Sequence, residues 1–392
     1  MKYNVFKIFT TFMLLSILLI TNITVVGDSS LVTTKNPVNI NLLSYNGEII
    51  TVDDDGDENY SKIQDAIDNA SDGDIIKVYS GVYHEFITIN KQLTILGIEE
   101  NENGKPIVNA VGKEFAVTFT ADNCIFEGFW VMNTSKGDNT WKYFAGIKIL
   151  SDNNVLKNNI ISNCENGIWI EKSNSNTLDN NNLSFNKVEI YILESCNNTI
   201  SNNTFSNHNL AIQAWYHSDN NKFLNNKIKG VGFYLWESSN NEIINNKITS
   251  NLESSEIGIG LISLCFKNKI IGNIISNMQT GIAFSLSDNN LVSGNNILNN
   301  SMFGMQLYQS DKNTIKHNNF INNGFVKSPL PKLIFSQAFF FQSFFNKWYN
   351  NYWDDWQRII PKAIKGKLGK NGLIPWRNFD WLPARDPYDI VI

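Results

Sequence analysis

Between Asn154 and Phe320 polar and apolar positions follow one template eight times: Asn, any residue, apolar, two of any kind, Asn, any residue, apolar. The copies begin at Asn154, Asn176, Asn198, Asn221, Asn241, Asn268, Asn290 and Asn313. Their second Asn falls at Asn159, Asn181, Asn203, Asn226, Asn246, Asn273, Asn295 and Asn318. All sixteen keep register with apolar partners that run from Leu156 and Ile161 to Ile315 and Phe320, which excludes a compositional accident. Copies start 20 to 27 residues apart, mostly 22 or 23. That period suits short strands joined by turns and is too short for two helices per unit. Ahead of the copies lie alternating strands such as Gly146-Ile147-Lys148-Ile149, Gly167-Ile168-Trp169-Ile170, Gly281-Ile282-Ala283-Phe284 and Gly304-Met305-Gln306-Leu307. Their period of two aims one side chain inward and the next outward.

Leucine-rich repeats share the length but need regular Leu positions, whereas this template mixes Ile, Val, Phe and Leu with Asn at the corners. Asn tolerates the left-handed backbone of sharp turns, and its amide both donates and accepts. Stacked at about 4.8 Å, such amides form a ladder beside a continuous apolar column. The pattern therefore predicts an all-β chain, a right-handed parallel β-helix of pectin-lyase-like form. A single coil cannot bury its apolar side, so both ends need covers. Ser61-Lys62-Ile63-Gln64 reads as a capping box that opens a helix with an apolar stripe at Ile63, Ala66, Ile67 and Ala70, an N-terminal cap. Past Asn323 the repeat is expected to stop, and the segment with Trp348, Tyr349, Tyr352, Trp353, Trp356, Trp376 and Trp381 reads as a C-terminal cap. The expected layout is a leader or anchor over 1–27, a linker over 28–47, the β-helix over 48–323 and the aromatic cap over 324–392.

Lys2 and Lys7 precede an uncharged run from Ile8 to Gly27 rich in Leu, Ile, Phe and Val. This is the form of an export signal, and the run is also long enough to stay uncleaved as a membrane tether. Either way the chain is expected to be secreted or held at the cell surface. A net charge of −5, with basic and acidic residues interspersed, offers no stripe for tracking phosphates and argues against nucleic acid as a partner. Cys124, Cys164, Cys196 and Cys265 form no Cys-x-x-Cys pair, so they read as isolated thiols and not as a zinc or redox site. Sequons stand at Asn133, Asn182, Asn197 and Asn299, among others.

The segments Asp53 to Asp57, Ile63-Gln64-Asp65-Ala66-Ile67, Asp72-Gly73-Asp74 to Tyr83, the Asn-rich coils and Tyr349-Asn350-Asn351-Tyr352-Trp353-Asp354-Asp355-Trp356 together resemble the NosD-like, pectate-lyase-fold proteins of archaeal cell surfaces. The likeness covers roughly residues 48 to 390 and is specific for fold. It implies a solenoid that meets carbohydrate or, in the namesake branch, assists maturation of a copper enzyme. Many relatives follow the Tyr-Trp-Asp cluster with an acidic, glycine-rich run like a calcium loop; this chain has Gln357 to Lys365 there, which speaks against calcium.

Lyases of this fold resemble one another in pairing calcium-binding acids with a basic residue, commonly Arg, yet Arg358, Arg377 and Arg385 all lie beyond the eight copies. A lyase of the usual type therefore lacks its base unless a Lys serves. His84, His208, His217 and His317 are separated and the Met residues do not cluster, so copper gains no support from residue type. No cofactor is expected. The best candidate site is an outward column of aromatic residues on successive coils, Trp169, Tyr191, Trp215, Tyr234 and Trp236, with Tyr308 further on. Glu171, Glu194, His217 and Glu237 follow just downstream. Sugar rings pack on aromatic faces while carboxylates bind hydroxyls, so the pattern points to an extended glycan as partner. A glycan-binding surface protein is the first expectation, an enzyme on polysaccharide using Glu171, Glu194 or Glu237 the second, and a copper-site accessory the third.

Overall fold

A computed structural model describes residues 47–56, 58–100, 104–135, 144–250, 256–325, 335–358, 361–369 and 374–390; the expected leader or anchor lies outside them. Each coil has three sides, one strand of up to six residues and two of about three. Every side pairs in parallel with the same side of the next coil: Asn166–Glu171 with Val188–Leu193, Thr177–Asp179 with Thr199–Ser201, and Asn182–Ser184 with Thr204–Ser206. Among the described residues the first two sides form one 26-stranded network and the third a 12-stranded sheet, a parallel β-helix wound right-handed. Inward positions stack into the predicted column, Ile168 on Ile190, Ile212, Phe233, Ile259, Ile282 and Met305, all buried. Each such side chain contributes about 1.5–3 kcal/mol relative to exposure, and only a neighbouring coil makes that burial available.

The Asn ladder forms as expected. The backbone N–H and the Nδ2 of Asn181 both donate to Asn203 Oδ1 at 2.8 and 3.0 Å. Asn203 donates likewise to Asn226 (3.0 and 3.1 Å), and Asn226 to Asn246 (2.9 and 3.0 Å). The second amide hydrogen turns back to an earlier coil, Asn203 Nδ2 to Leu178 O at 2.9 Å. The left-handed turn belongs to other residues, however. Ladder Asn keep ordinary φ, while the residue before each is left-handed, as at Asn153 (59°), Asn158 (57°), Asn202 (56°), Asn225 (55°) and Lys312 (56°). Where the turn is taken by Gly272 or Gly294, φ is 69° and 65°. Ladder and turn are thus separate duties of adjacent positions. The corner of the first Asn rung also carries a serine ladder that the template did not contain, with Ser173 N–H to Ser195 Oγ at 3.0 Å and Ser287 N–H to Ser310 Oγ at 3.1 Å.

Both ends differ from expectation. The helix Ile63–Asn69 buries Ile63, Ala66 and Ile67 as its stripe predicts, but it has no capping box. Lys62 is the N-cap residue and makes no side-chain cap bond; the Ile63 and Gln64 N–H groups donate to the Glu85 carboxylate at 2.9 and 3.0 Å. An acceptor from a distant turn replaces the local Ser61, and its charge suits the helix N-terminus. Past Asn323 the stack continues. Ser336–Phe341, Lys347–Tyr349 and Tyr352–Trp353 pair in parallel with the three sides of the preceding coil. Asn346 and Asn351 accept the ladder bonds of Asn313 and Asn318. Asn346 to Trp353 is therefore a ninth copy, hidden by a 33-residue separation and by Trp in place of aliphatic residues. Trp353 stacks on Phe320 with centroids 4.3 Å apart. Lys362–Leu368 then pairs in parallel with Phe339–Phe341 and in antiparallel with Ile374–Asp380. Asp380 closes the second ladder, accepting from Asn351 N–H and Nδ2, both at 3.0 Å, and from Trp353 Nε1 at 3.1 Å. Trp348 and Trp353 are core, while Trp376 and Trp381 remain 53% and 68% exposed, so the aromatic segment is not uniformly buried.

Candidate functional site

The long side of each coil points alternate residues outward, and parallel register fixes which of them align. Trp169, Tyr191, Gln213 and Tyr234 share one column. Glu171, Leu193, Trp215 and Trp236 share the next, two residues along. The single column expected from sequence is thus two. The aromatic path crosses between them at Tyr191 to Trp215, centroids 5.8 Å apart and edge to face. Trp169 to Tyr191 (6.2 Å) and Trp215 to Trp236 (6.1 Å) run along the columns. The cause is local: the corner after Trp215 carries two left-handed residues, Tyr216 and His217, where the preceding coil has Glu194 alone. That extra residue shifts the count from Trp215 to its ladder Asn.

Exposure grades along the path. Trp169 and Tyr191 are buried, with Phe115 and Val188 packed against them, while Trp215, Tyr234 and Trp236 are half-buried and Tyr216 is 43% exposed. Burial pushes the Tyr234 phenol up to about 12, so it stays protonated at neutral pH. The Trp215 indole N–H is buried and has no hydrogen-bond partner among the described residues. Lys148, which the sequence reading placed only in a strand, lies 4.1 Å above the Trp169 ring and 4.9 Å from that of Phe115, and pairs with Glu171 at 3.2 Å. Glu171 is thereby committed to a lysine. Glu194 and Glu237 instead occupy the corner with left-handed φ of 49° and 48°, Glu194 exposed and Glu237 partly so, and exposed His217 stands on the coil between them. Tyr308 aligns with Trp236 in the second column but stacks on Phe341 at 4.8 Å, away from the others.

A buried pair was not anticipated. The position after the first outward residue of the long side is Gly at 146, 167, 258, 281 and 304, because a Cβ there meets the neighbouring coil at 2.5–2.9 Å. Glu189 takes this position in its own coil, fully buried, held by Asn186 Nδ2 and by His208 Nδ1 at 3.4 Å; His208 Nε2 contacts Val231 O at 3.1 Å. Burial raises the Glu189 carboxyl above the usual carboxylate range, with His208 and Asn186 pulling the other way. The sequence signal was available as a lone acid in a column of Gly, Ala and one Gln. Among the described residues no group of three or more His, Cys, Asp or Glu converges to hold a metal ion.

A family model described as right handed beta helix region matches residues 98–248 and 219–351. A cell surface glycoprotein of Methanothermus fervidus is 38% identical over 109 residues, 27% of this chain and 17% of that protein, so the chain spans only about a sixth of that relative. Among solved structures, the Agl-KA catalytic domain superposes with a TM-score of 0.55 at 14% identity, over 70% of this chain and 60% of that one. The alginate lyase AlyF-OU02 in complex with G6 also reaches 0.55 at 14% identity, over 82% of this chain and 88% of that one. At such identity these two are likenesses of fold.

Proposed function

The chain belongs to the family of right-handed β-helix regions, and from that scaffold we propose an exported, cell-surface solenoid that binds polysaccharide along its outward aromatic face. The observation that carries this reading is the continuous ring-to-ring path from Trp169 through Tyr191 and Trp215 to Trp236, bordered by Glu194, His217 and Glu237 at one corner. The half-buried Trp215 and Trp236, with exposed Tyr216, supply apolar faces for sugar C–H edges, and the corner carboxylates accept hydroxyls. Trp169 and Tyr191 continue the ring path along the neighbouring coils. Export and surface location draw support from the Lys2, Lys7 and Ile8 to Gly27 leader pattern and from the similarity to a cell surface glycoprotein. In this reading the same segment, if uncleaved, is the membrane tether.

The test is a glycan array followed by titration with the glycans retained. Trp215→Ala combined with Trp236→Ala should weaken binding at least tenfold, about 1.4 kcal/mol, with the far-ultraviolet spectrum unchanged. Unaltered binding would overturn the proposal. Turnover of the bound glycan is a second reading, favoured by Glu194 and Glu237 standing two coils apart on one corner, roughly 10 Å between backbones at the usual strand spacing. It requires shortened or unsaturated products that disappear with Glu194→Gln or Glu237→Gln.

A further inference from the structure

A second site lies at the other end of the molecule. Lys347–Tyr349 and Ile374–Asp380 meet in parallel only at Trp348 and Asp380, and toward their N-terminal sides the two strands diverge. The wedge between them is an open cleft of about 410 Å³ lined by Lys347, Trp348, Tyr349, Arg377, Asn378 and Trp381, among others. Its size falls within the range of small-ligand sites, about 300–1,000 Å³. We propose that this wedge binds a carboxylate-bearing sugar, the unit of an acidic glycan.

Two observations converge on that chemistry. The cleft's charged lining is entirely cationic, Lys347 and Arg377, and Lys365 faces Arg377 across the hairpin. The carboxylate of Asp380, the strand partner of Trp348, is buried and already occupied by Asn351 and Trp353. Arg presents a fork that matches a carboxylate bidentately. At the rim, Trp381 and Phe379, centroids 5.3 Å apart, are 68% and 37% exposed and provide the platform on which a pyranose ring stacks.

The site shares no residue with the aromatic path of the coils, so the two readings fail separately. Calorimetric titration of the full chain with trimers of galacturonate, guluronate and glucuronate, with maltotriose as the neutral control, tests it. At least one uronate trimer should bind with one-to-one stoichiometry. Arg377→Gln and Trp381→Ala should each weaken that binding at least tenfold, maltotriose should give no heat, and Trp215→Ala should leave the affinity unchanged. Both substituted side chains are exposed, so thermal melting should stay within a degree or two of the parent. Absence of binding by all three trimers overturns the proposal, as does binding that survives Arg377→Gln. Capture of anionic phospholipid vesicles lost in the same variants, without trimer binding, would assign the cationic hairpin to a membrane surface instead.

Discussion

Asn225 and Asn226 are identical neighbours with different duties. Asn225 is the left-handed turn residue, and Asn226 is the rung, accepting from Asn203 N–H and Nδ2 and donating to Ile200 O. Removing the rung strands two donors and one acceptor inside the wall, whereas removing the turn side chain strands none of them. Asn226→Ala should therefore cost about 3 kcal/mol or more, while Asn225→Gly, free of the Cβ that disfavours this backbone, should stay within about 1 kcal/mol of the parent. Equilibrium urea unfolding of the two variants separates them, and equal losses would contradict the division. The sequons at Asn182 and Asn197 lie outside the ladder and are exposed.

Elements assemble from those residues by register, and here Glu189 and, near the C-terminal end, Gln337 interrupt a column of Gly and Ala. Glu189 has a folded-state pKa above its unfolded one, so its contribution is fully present while both states are protonated and is lost as pH rises through the folded value. Glu189→Gln abolishes the ionisation and keeps an acceptor for Asn186. The variant's melting temperature should exceed the parent's at pH 7, and the gap should close toward about pH 4; a gap independent of pH would refute the assignment. Register also explains what the sequence made legible. Eight copies were readable because Asn and its apolar partners recur at fixed offsets. The ninth, at Asn346 and Asn351, was not, since a longer preceding connection and Trp348 and Trp353 disguise it. The aromatic residues of the site were readable as outward. Their partition into two columns was not, because a strand of period two presents two outward positions and a corner's length decides which ones align. Lys148, Glu189 and His208 matter through partners one coil away, about 22 residues off in sequence, where local pattern is silent.

For the molecule as a whole, contacts beyond each coil are made with its neighbours, so stability is a sum along one axis. Deletion of one whole coil, residues 268 to 289, brings Asn241 under Asn290 and should leave a folded, β-rich chain, since those two rungs present the same donors and acceptors. Deletion of 268 to 278 should not, because it sets strands against corners. Circular dichroism and cooperative melting check both. That interchangeability carries a hazard: a growing end threaded one full period out of step would satisfy nearly every rung and every aliphatic contact. Glu189 and His208 remove the degeneracy. Displaced by one turn, the buried acid would lie beside Val231 in place of an imidazole, an unmatched charge in an apolar wall. A repetitive chain thus acquires a unique alignment from a place where it refuses to repeat.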